Sequence, residues 1–239
     1  MLCHGDGRAM LIGRPAYWDR ACAELAAADT VMAALIATYP GISLEGRGDA
    51  FMTLARSIVG QQISVRAADA VWGRLVSLLD GMSSERVLAQ DDDALRGCGL
   101  SVRKVEYLRD LARHHAAGRL DPQAWRDWDD EAVIAELTDI RGIGRWTAEM
   151  FLIFYLLRPD VLPLDDIGLL RGVALHYHDG ERQPRKAVRE LAERWQPWRT
   201  VATWYLWRSL DPVPVAYRAA ALGRLALPGS EALPAGSAR

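Results

Sequence analysis

Apolar positions recur along this chain every three or four residues, and no stretch combines two-residue alternation with the β-branched enrichment of a strand. The pattern predicts an all-α protein, cut by start and stop signals into about ten helices. From Pro15 an Ala-rich helix reaches about Ala28, and Asp29 caps a second that stops before Pro40-Gly41. Asp49 opens a third, with Phe51, Leu54, Ile58 and Val59 on one side, which ends near Gly60. Ser64 caps a fourth whose Val71, Leu75, Leu78 and Leu79 face a core, with Asp80-Gly81 as its stop. Short helices follow near 84–90 and 92–97, then one capped by Ser101 that runs to Ala117, and another from Asp130 to Thr138.

The segment DIRGIG, 139–144, is too short for an ordinary loop, and the strongly apolar RWTAEMFLIFYLL, 145–157, starts a helix immediately after it. This predicts a tight helix-hairpin-helix. Asp165-Asp166 then precedes a helix to about His176, Pro184 begins one to Trp195, and Pro197 begins the last, to Leu210. The expected organisation is an N-terminal helical segment, 1–48, packed on a core at 49–212, with a frayed tail rich in Pro, Gly, Ala and Ser at 213–239.

Composition supports a folded chain: 239 residues, half of them apolar and a quarter charged, bury enough surface to need neither disulfides nor a structural metal. Cys3, Cys22 and Cys98 are odd in number and lack ligand spacing, which excludes a disulfide scaffold, a zinc site or an iron–sulfur cluster. The longest apolar run, Met150 to Leu157, is far short of a membrane span, and MLCHGDGRAM has no secretory character, so an intracellular protein is expected. A formal net charge of −2 gives no global attraction to nucleic acid. Yet residues 181–208 hold seven basic residues against three acidic ones, while 121–139 hold seven acidic ones against Arg126 alone. One face can therefore meet a polyanion, although solvated helix faces give similar counts.

Three features carry candidate chemistry. Gly142 and Gly144 let the backbone approach whatever lies beyond the hairpin, and the amides of the following first turn are donors at the positive end of a helix dipole. A phosphate suits that place, with Leu137, Ile140 and Ile143 anchoring the turn and Arg141 and Arg145 flanking it; a tight turn with no ligand would use the same glycines. Asp165-Asp166 lies about twenty residues later, where the chain has reversed, so a carboxylate returns toward the hairpin. One aspartate is accounted for as an N-cap; the pair is not. Nine tryptophans include Trp146 directly after the hairpin and Trp195, Trp198, Trp204 and Trp207 near the end; half or more belong in a core, and one or two facing a cleft would stack on a planar ring.

LTDIRGIGRWTAEMFL followed by VLPLDDIGLLRG resembles the helix-hairpin-helix DNA glycosylases, specifically the 3-methyladenine DNA glycosylase II group. LARSIVGQQISVRAADAVWGRL (54–75), GLSVRKVEYLRDLA (99–112) and AERWQPWRTVATWYLW (192–207) extend the resemblance over about residues 50–210, in the family's order. It implies about ten helices in two subdomains flanking a cleft, and a monofunctional glycosylase of base excision repair that hydrolyses the N-glycosidic bond of alkylated purines flipped out of double-stranded DNA. Asp166 matches the family's catalytic aspartate, and Trp146 and Trp207 match aromatic positions of the base pocket. Gln62 matches the residue that wedges into the base stack. The amides of Gly142 and Gly144, with Thr147, match phosphate contacts, and the carbonyls of Thr138, Ile140 and Ile143 match ligands of a structural K+ or Na+.

No cofactor is implied for catalysis, and one lesion needs one subunit, so a monomer is expected. Met150 and Ile167 stand where some relatives place tyrosines, and Arg141 replaces the usual proline before the first hairpin glycine. About fifty residues precede the matched region, too few for the N-terminal β-domain of longer relatives, and the four-cysteine cluster of the endonuclease III branch is missing. In bifunctional relatives a lysine lies at the position of Trp146, so no lyase activity is expected. Two alternatives remain at this level: a non-catalytic helix-hairpin-helix DNA-binding module, or a sister glycosylase for oxidised or mismatched bases.

Overall fold

The computed structural model describes residues 13–210 apart from Arg47; the tail expected at 213–239 lies outside the described residues. Among these residues there is no strand, and twelve α-helices follow one another: α1 Trp18–Ala28, α2 Thr30–Thr38, α3 Ala50–Gly60, α4 Val65–Leu78, α5 Ser84–Ala89, α6 Asp92–Gly97, α7 Val102–Ala116, α8 Asp130–Thr138, α9 Arg145–Phe154, α10 Ile167–Tyr177, α11 Arg185–Leu191 and α12 Arg199–Leu210. Short 3-10 turns at Ala124–Asp127 and Ala192–Trp195 complete the set, and the first of them has no counterpart in the apolar pattern.

Side-chain caps fix the starts. Asp29, Asp49, Ser64, Ser83, Asp91, Ser101, Asp129 and Asp166 each accept at least one amide from the first turn of the helix that follows. The ends are less faithful to the sequence. Helix α9 stops at Phe154, three residues before the apolar run does, because the chain turns there: Leu157 takes a left-handed φ of 54°, and the Arg158 guanidinium donates to the carbonyl of Trp125 at 2.7 Å. Leu78 is exposed rather than core-facing, since Val71, Leu75 and Leu79 already cover the inner face of α4.

Helices α3 to α7 pack as one group, with α7 against α3 and α5, while the chain's two ends meet in another, where α12 lies against α1, α2 and α10. Aromatic contacts join those ends: Tyr17 stacks on Trp198 with centroids 5.6 Å apart, and Trp18 meets the edge of Trp204 at 5.2 Å. Buried Asp29 adds polar ties, accepting from the Tyr177 hydroxyl at 3.0 Å and the Trp195 indole at 3.3 Å. The α8–α9 hairpin touches the first group through α3, and α9 and α10 come together at one hydrogen bond that defines the site.

Candidate active site

The hairpin is built from buried Leu137, Ile140 and Ile143, which pin the turn between α8 and α9. Gly142 has a φ of 83°, and a β-carbon there would lie 2.3 Å from the Tyr107 ring of α7, so both backbone and packing demand glycine. Two side chains hold the turn from outside. Asp110 accepts the Arg141 amide at 2.9 Å, and the Gln61 amide nitrogen donates to the Gly142 carbonyl at 2.8 Å. Gly144 is different: its φ is −92°, and a β-carbon would meet nothing within 4 Å. It begins α9 with no side-chain cap, unlike eight other helices here, and the first-turn amides of Arg145, Trp146 and Thr147 precede the first intrahelical donor, Ala148. Those donors and the open space beside Gly144 are suited to an oxyanion.

Arg145 does not supply the positive charge expected of it there. Its guanidinium forks onto both oxygens of Glu131 and donates to Glu149 at 3.0 Å. Glu149 is buried, and loss of hydration pushes its carboxyl up to about 7, with Arg145 opposing the shift. The acidic stretch is similarly spent: Asp129 caps α8, and Asp130, Glu136 and Asp139 face Arg158 or Arg119. In the basic stretch Arg199 grips Asp160 and Arg185 pairs with Asp165 at 2.7 Å, so part of the expected local charge is neutralised within the fold, and Arg208 is buried away from the surface.

Asp166 stands at the N-cap of α10. The cap is Asp166 itself, with Asp165 turned to Arg185. Oxygen Oδ1 of Asp166 accepts the Leu169 amide at 2.7 Å and the Trp207 indole N–H at 2.7 Å; Oδ2 accepts the Trp146 indole N–H at 3.0 Å. Three helices thus converge on one half-buried carboxylate. The two indoles differ in freedom: Trp207 is 7% exposed and stacks on Phe154 at a centroid distance of 5.7 Å, whereas Trp146 is 46% exposed.

Met150, one turn beyond Trp146 on α9, is half-buried against the core, and Ile167 beside Asp166 is 72% exposed. Gln62 lies on the exposed turn between α3 and α4 with a φ of 59°, a left-handed backbone that glutamine adopts at a cost of about 1–3 kcal/mol. Its neighbour Gln61 is the residue that ties this turn to the hairpin. Thr147 is buried in the first turn of α9, and its backbone amide precedes the first intrahelical donor. The carbonyls of Thr138, Ile140 and Ile143 are hard oxygen donors of the kind a monovalent cation takes; that of Ile140 also accepts the Ile143 amide at 3.1 Å, which leaves it a second lone pair. No group of three or more His, Cys, Asp or Glu residues able to hold a metal ion occurs among the described residues.

Residues 55–197, the span that holds the α3–α4 turn, the hairpin and Asp166, match the HhH-GPD superfamily of base excision DNA repair proteins. The chain belongs to that superfamily. Among its HhH-GPD relatives is DNA-3-methyladenine glycosylase 1 of Schizosaccharomyces pombe, 34% identical over 73% of this chain and 78% of the relative. The crystal structure of a DNA-3-methyladenine glycosidase from Bacillus halodurans superposes with a TM-score of 0.75 at 38% identity, covering 79% of this chain and 88% of that one. An S. pombe 3-methyladenine DNA glycosylase in complex with abasic DNA gives 0.68 at 30% identity, over 80% and 96% of the two chains.

Proposed function

We propose that this HhH-GPD protein is a monofunctional DNA glycosylase that removes alkylated purines of the 3-methyladenine type from double-stranded DNA, with Asp166 as its catalytic residue. The observation that carries the reading is the Asp166 carboxylate at the N-cap of α10, fixed by indoles from the first turn of α9 and from α12, next to a start of α9 that has no side-chain cap and open space beside Gly144. Relatives named for 3-methyladenine support the substrate class. An alkylated purine carries positive charge, and a half-exposed indole such as Trp146 holds a cationic ring by stacking and cation–π attraction.

The same charge makes the base a good leaving group. The C1′–N bond breaks, its electron pair departs with the base, and the cationic sugar forms opposite the Asp166 carboxylate. Water then adds to C1′ and passes a proton to that carboxylate. Among the described residues no lysine amine stands beside Asp166 to replace water: the ammonium of Lys104 donates to the Val59 carbonyl at 2.7 Å, and that of Lys186 faces Glu190 on α11. The carbonyls of Thr138, Ile140 and Ile143 would hold a K+ or Na+ that supplies positive charge to a phosphate at the hairpin, the amides of Gly142, Gly144 and Thr147 would donate to the DNA backbone, and Gln62 would fill the gap left by the extruded nucleotide. One subunit, inside the cell, suffices for one lesion.

Base release from methylated duplex DNA tests this reading. A carboxylate about 4 Å from a developing cation, at an effective dielectric near 20, contributes about 4 kcal/mol, so Asp166→Asn should slow release about 1000-fold with folding intact. Asp165→Asn should remain active, since its carboxylate serves Arg185. Loss of activity in the Asp165 variant and not in the Asp166 variant would refute the assignment.

A further inference from the structure

Helix α10 carries glycine at its second position, Gly168, and again four residues later, at Gly172. Neither has a left-handed backbone, and alanine is the better helix former at both. What excludes a side chain is contact with α12. A β-carbon at Gly172 would lie 2.9 Å from Cβ of Leu206, an ordinary case of two helices packed closely. A β-carbon at Gly168 would lie 2.8 Å from Cδ1 and 3.0 Å from Nε1 of Trp207, and 2.9 Å from Oδ1 of Asp166. It would stand against the very hydrogen bond that joins the indole to the carboxylate.

Neither partner can yield easily. Trp207 is buried and stacked on Phe154, and Oδ1 of Asp166 is held by the Leu169 amide as the helix cap. We infer that Gly168 is a positioning residue for Asp166: its bare Cα admits the Trp207 indole to Oδ1, which fixes that oxygen and leaves Oδ2 as the one that faces the reaction. Oδ1 then has two donors from the fold, the Leu169 amide and the Trp207 indole. Oδ2 has the half-exposed Trp146 indole. The inference rests on Asp166 being the catalytic carboxylate, and it adds that the two oxygens have separate tasks set by one missing methyl group.

The test compares Gly168→Ala with Gly172→Ala in the full-length protein. Three readouts are taken: single-turnover base release, affinity for an abasic duplex, and the indole N–H resonances, with Trp207 assigned by its absence from Trp207→Leu. Gly168→Ala should displace the Trp207 resonance and slow release about 10- to 100-fold, with duplex affinity within about twofold of wild type. Gly172→Ala, which wedges the same helices without touching the carboxylate, should slow release less than about threefold. In the Trp207→Leu background, where the ring edge is gone and only the contact with Oδ1 remains, adding Gly168→Ala should slow release by a smaller factor than it does in the wild type.

Release by Gly168→Ala within twofold of wild type would overturn the inference, as would an equal loss in Gly172→Ala, which would reduce the effect to helix spacing. If Gly168→Ala fails to fold, the double variant decides: folding restored by Trp207→Leu supports the clash with the indole, and a double variant that is also unfolded refutes the indole as the group that Gly168 admits. Asp166→Asn, run alongside, separates the two levels. An active Asp166→Asn removes the catalytic assignment itself, whereas an inactive one beside a normal Gly168→Ala removes Gly168 alone.

Discussion

Gly142 and Gly144, one residue apart in the same hairpin, should respond to alanine in opposite ways. At Gly142 the left-handed φ of 83° costs an L-residue roughly 1–2 kcal/mol, and a β-carbon 2.3 Å from the Tyr107 ring adds roughly 1–3 kcal/mol of overpacking. The sum, roughly 2–5 kcal/mol, lowers the melting temperature of a chain this size by on the order of 10 °C. At Gly144 the backbone is ordinary and the space is open, so alanine costs only its deficit as an N-cap, about 0.5–1 kcal/mol, or about 1–4 °C. The β-carbon projects instead into the space beside the uncapped amides of α9, where a phosphate would sit. Hydrogen bonds to a charged group are worth about 1.5–3 kcal/mol, so obstructing them should weaken DNA binding about tenfold or more. Thermal unfolding by circular dichroism and fluorescence anisotropy on an abasic duplex measure the two effects. If Gly144→Ala destabilises as much as Gly142→Ala, or binds DNA like wild type, the division of labour between the two glycines is wrong.

Gln61→Ala removes the bond from the α3–α4 turn, proposed to carry the wedge, to the Gly142 carbonyl; base release from a paired duplex should fall several-fold, and less from a mismatched one where extrusion is easier, while stability drops by about 1 kcal/mol. An equal loss on both substrates would mean that Gln61 does not act through the wedge. Glu149 holds its proton to about pH 7 in the fold, against an ordinary value of 4.5, so the native state binds more protons than the unfolded chain between those limits. Its contribution should therefore lower stability as pH rises from about 4.5 to 7, by on the order of 2–3 kcal/mol, and Glu149→Gln should flatten that slope in urea titrations; an unchanged slope would assign the titration elsewhere. Borohydride added during turnover should trap no enzyme–DNA adduct, because Trp146 has no nucleophilic amine; an efficiently trapped adduct would contradict hydrolysis by water.

The helix starts were legible because each is a local event: an Asp or Ser three residues before the amide it accepts can be read from spacing alone, as at Asp49, Ser64 and Ser101. The end of α9 was not, because Leu156 and Leu157 continue the apolar run and the turn is completed by Arg158 reaching a distant carbonyl. In the site, the types and order of Asp166, Trp146 and Trp207 were readable, yet their union at one carboxylate depends on α9, α10 and α12 meeting in space. Arg145 illustrates the opposite error, since its formal charge is visible in sequence and its neutralisation by Glu131 and Glu149 is not. Gly168 did leave a signal: a glycine in the first turn of a helix, repeated four residues later, runs against propensity and marks a close approach by a neighbour.

That Asp166 caps α10 has a consequence for how such a protein can change. Reacting groups are commonly held at the expense of the fold, so that discarding them yields a sturdier, inert molecule. Here the Oδ1 that receives an indole also receives the Leu169 amide, and a substitution such as Asp166→Ala forfeits the cap, about 1 kcal/mol, together with the chemistry proposed for that carboxylate. Drift toward inactivity is therefore not rewarded with robustness. The changes that silence the carboxylate while sparing the helix are confined to the few residues that also cap well, asparagine and serine foremost, so a descendant that had given up catalysis to keep only its grip on DNA should carry one of those two at this position.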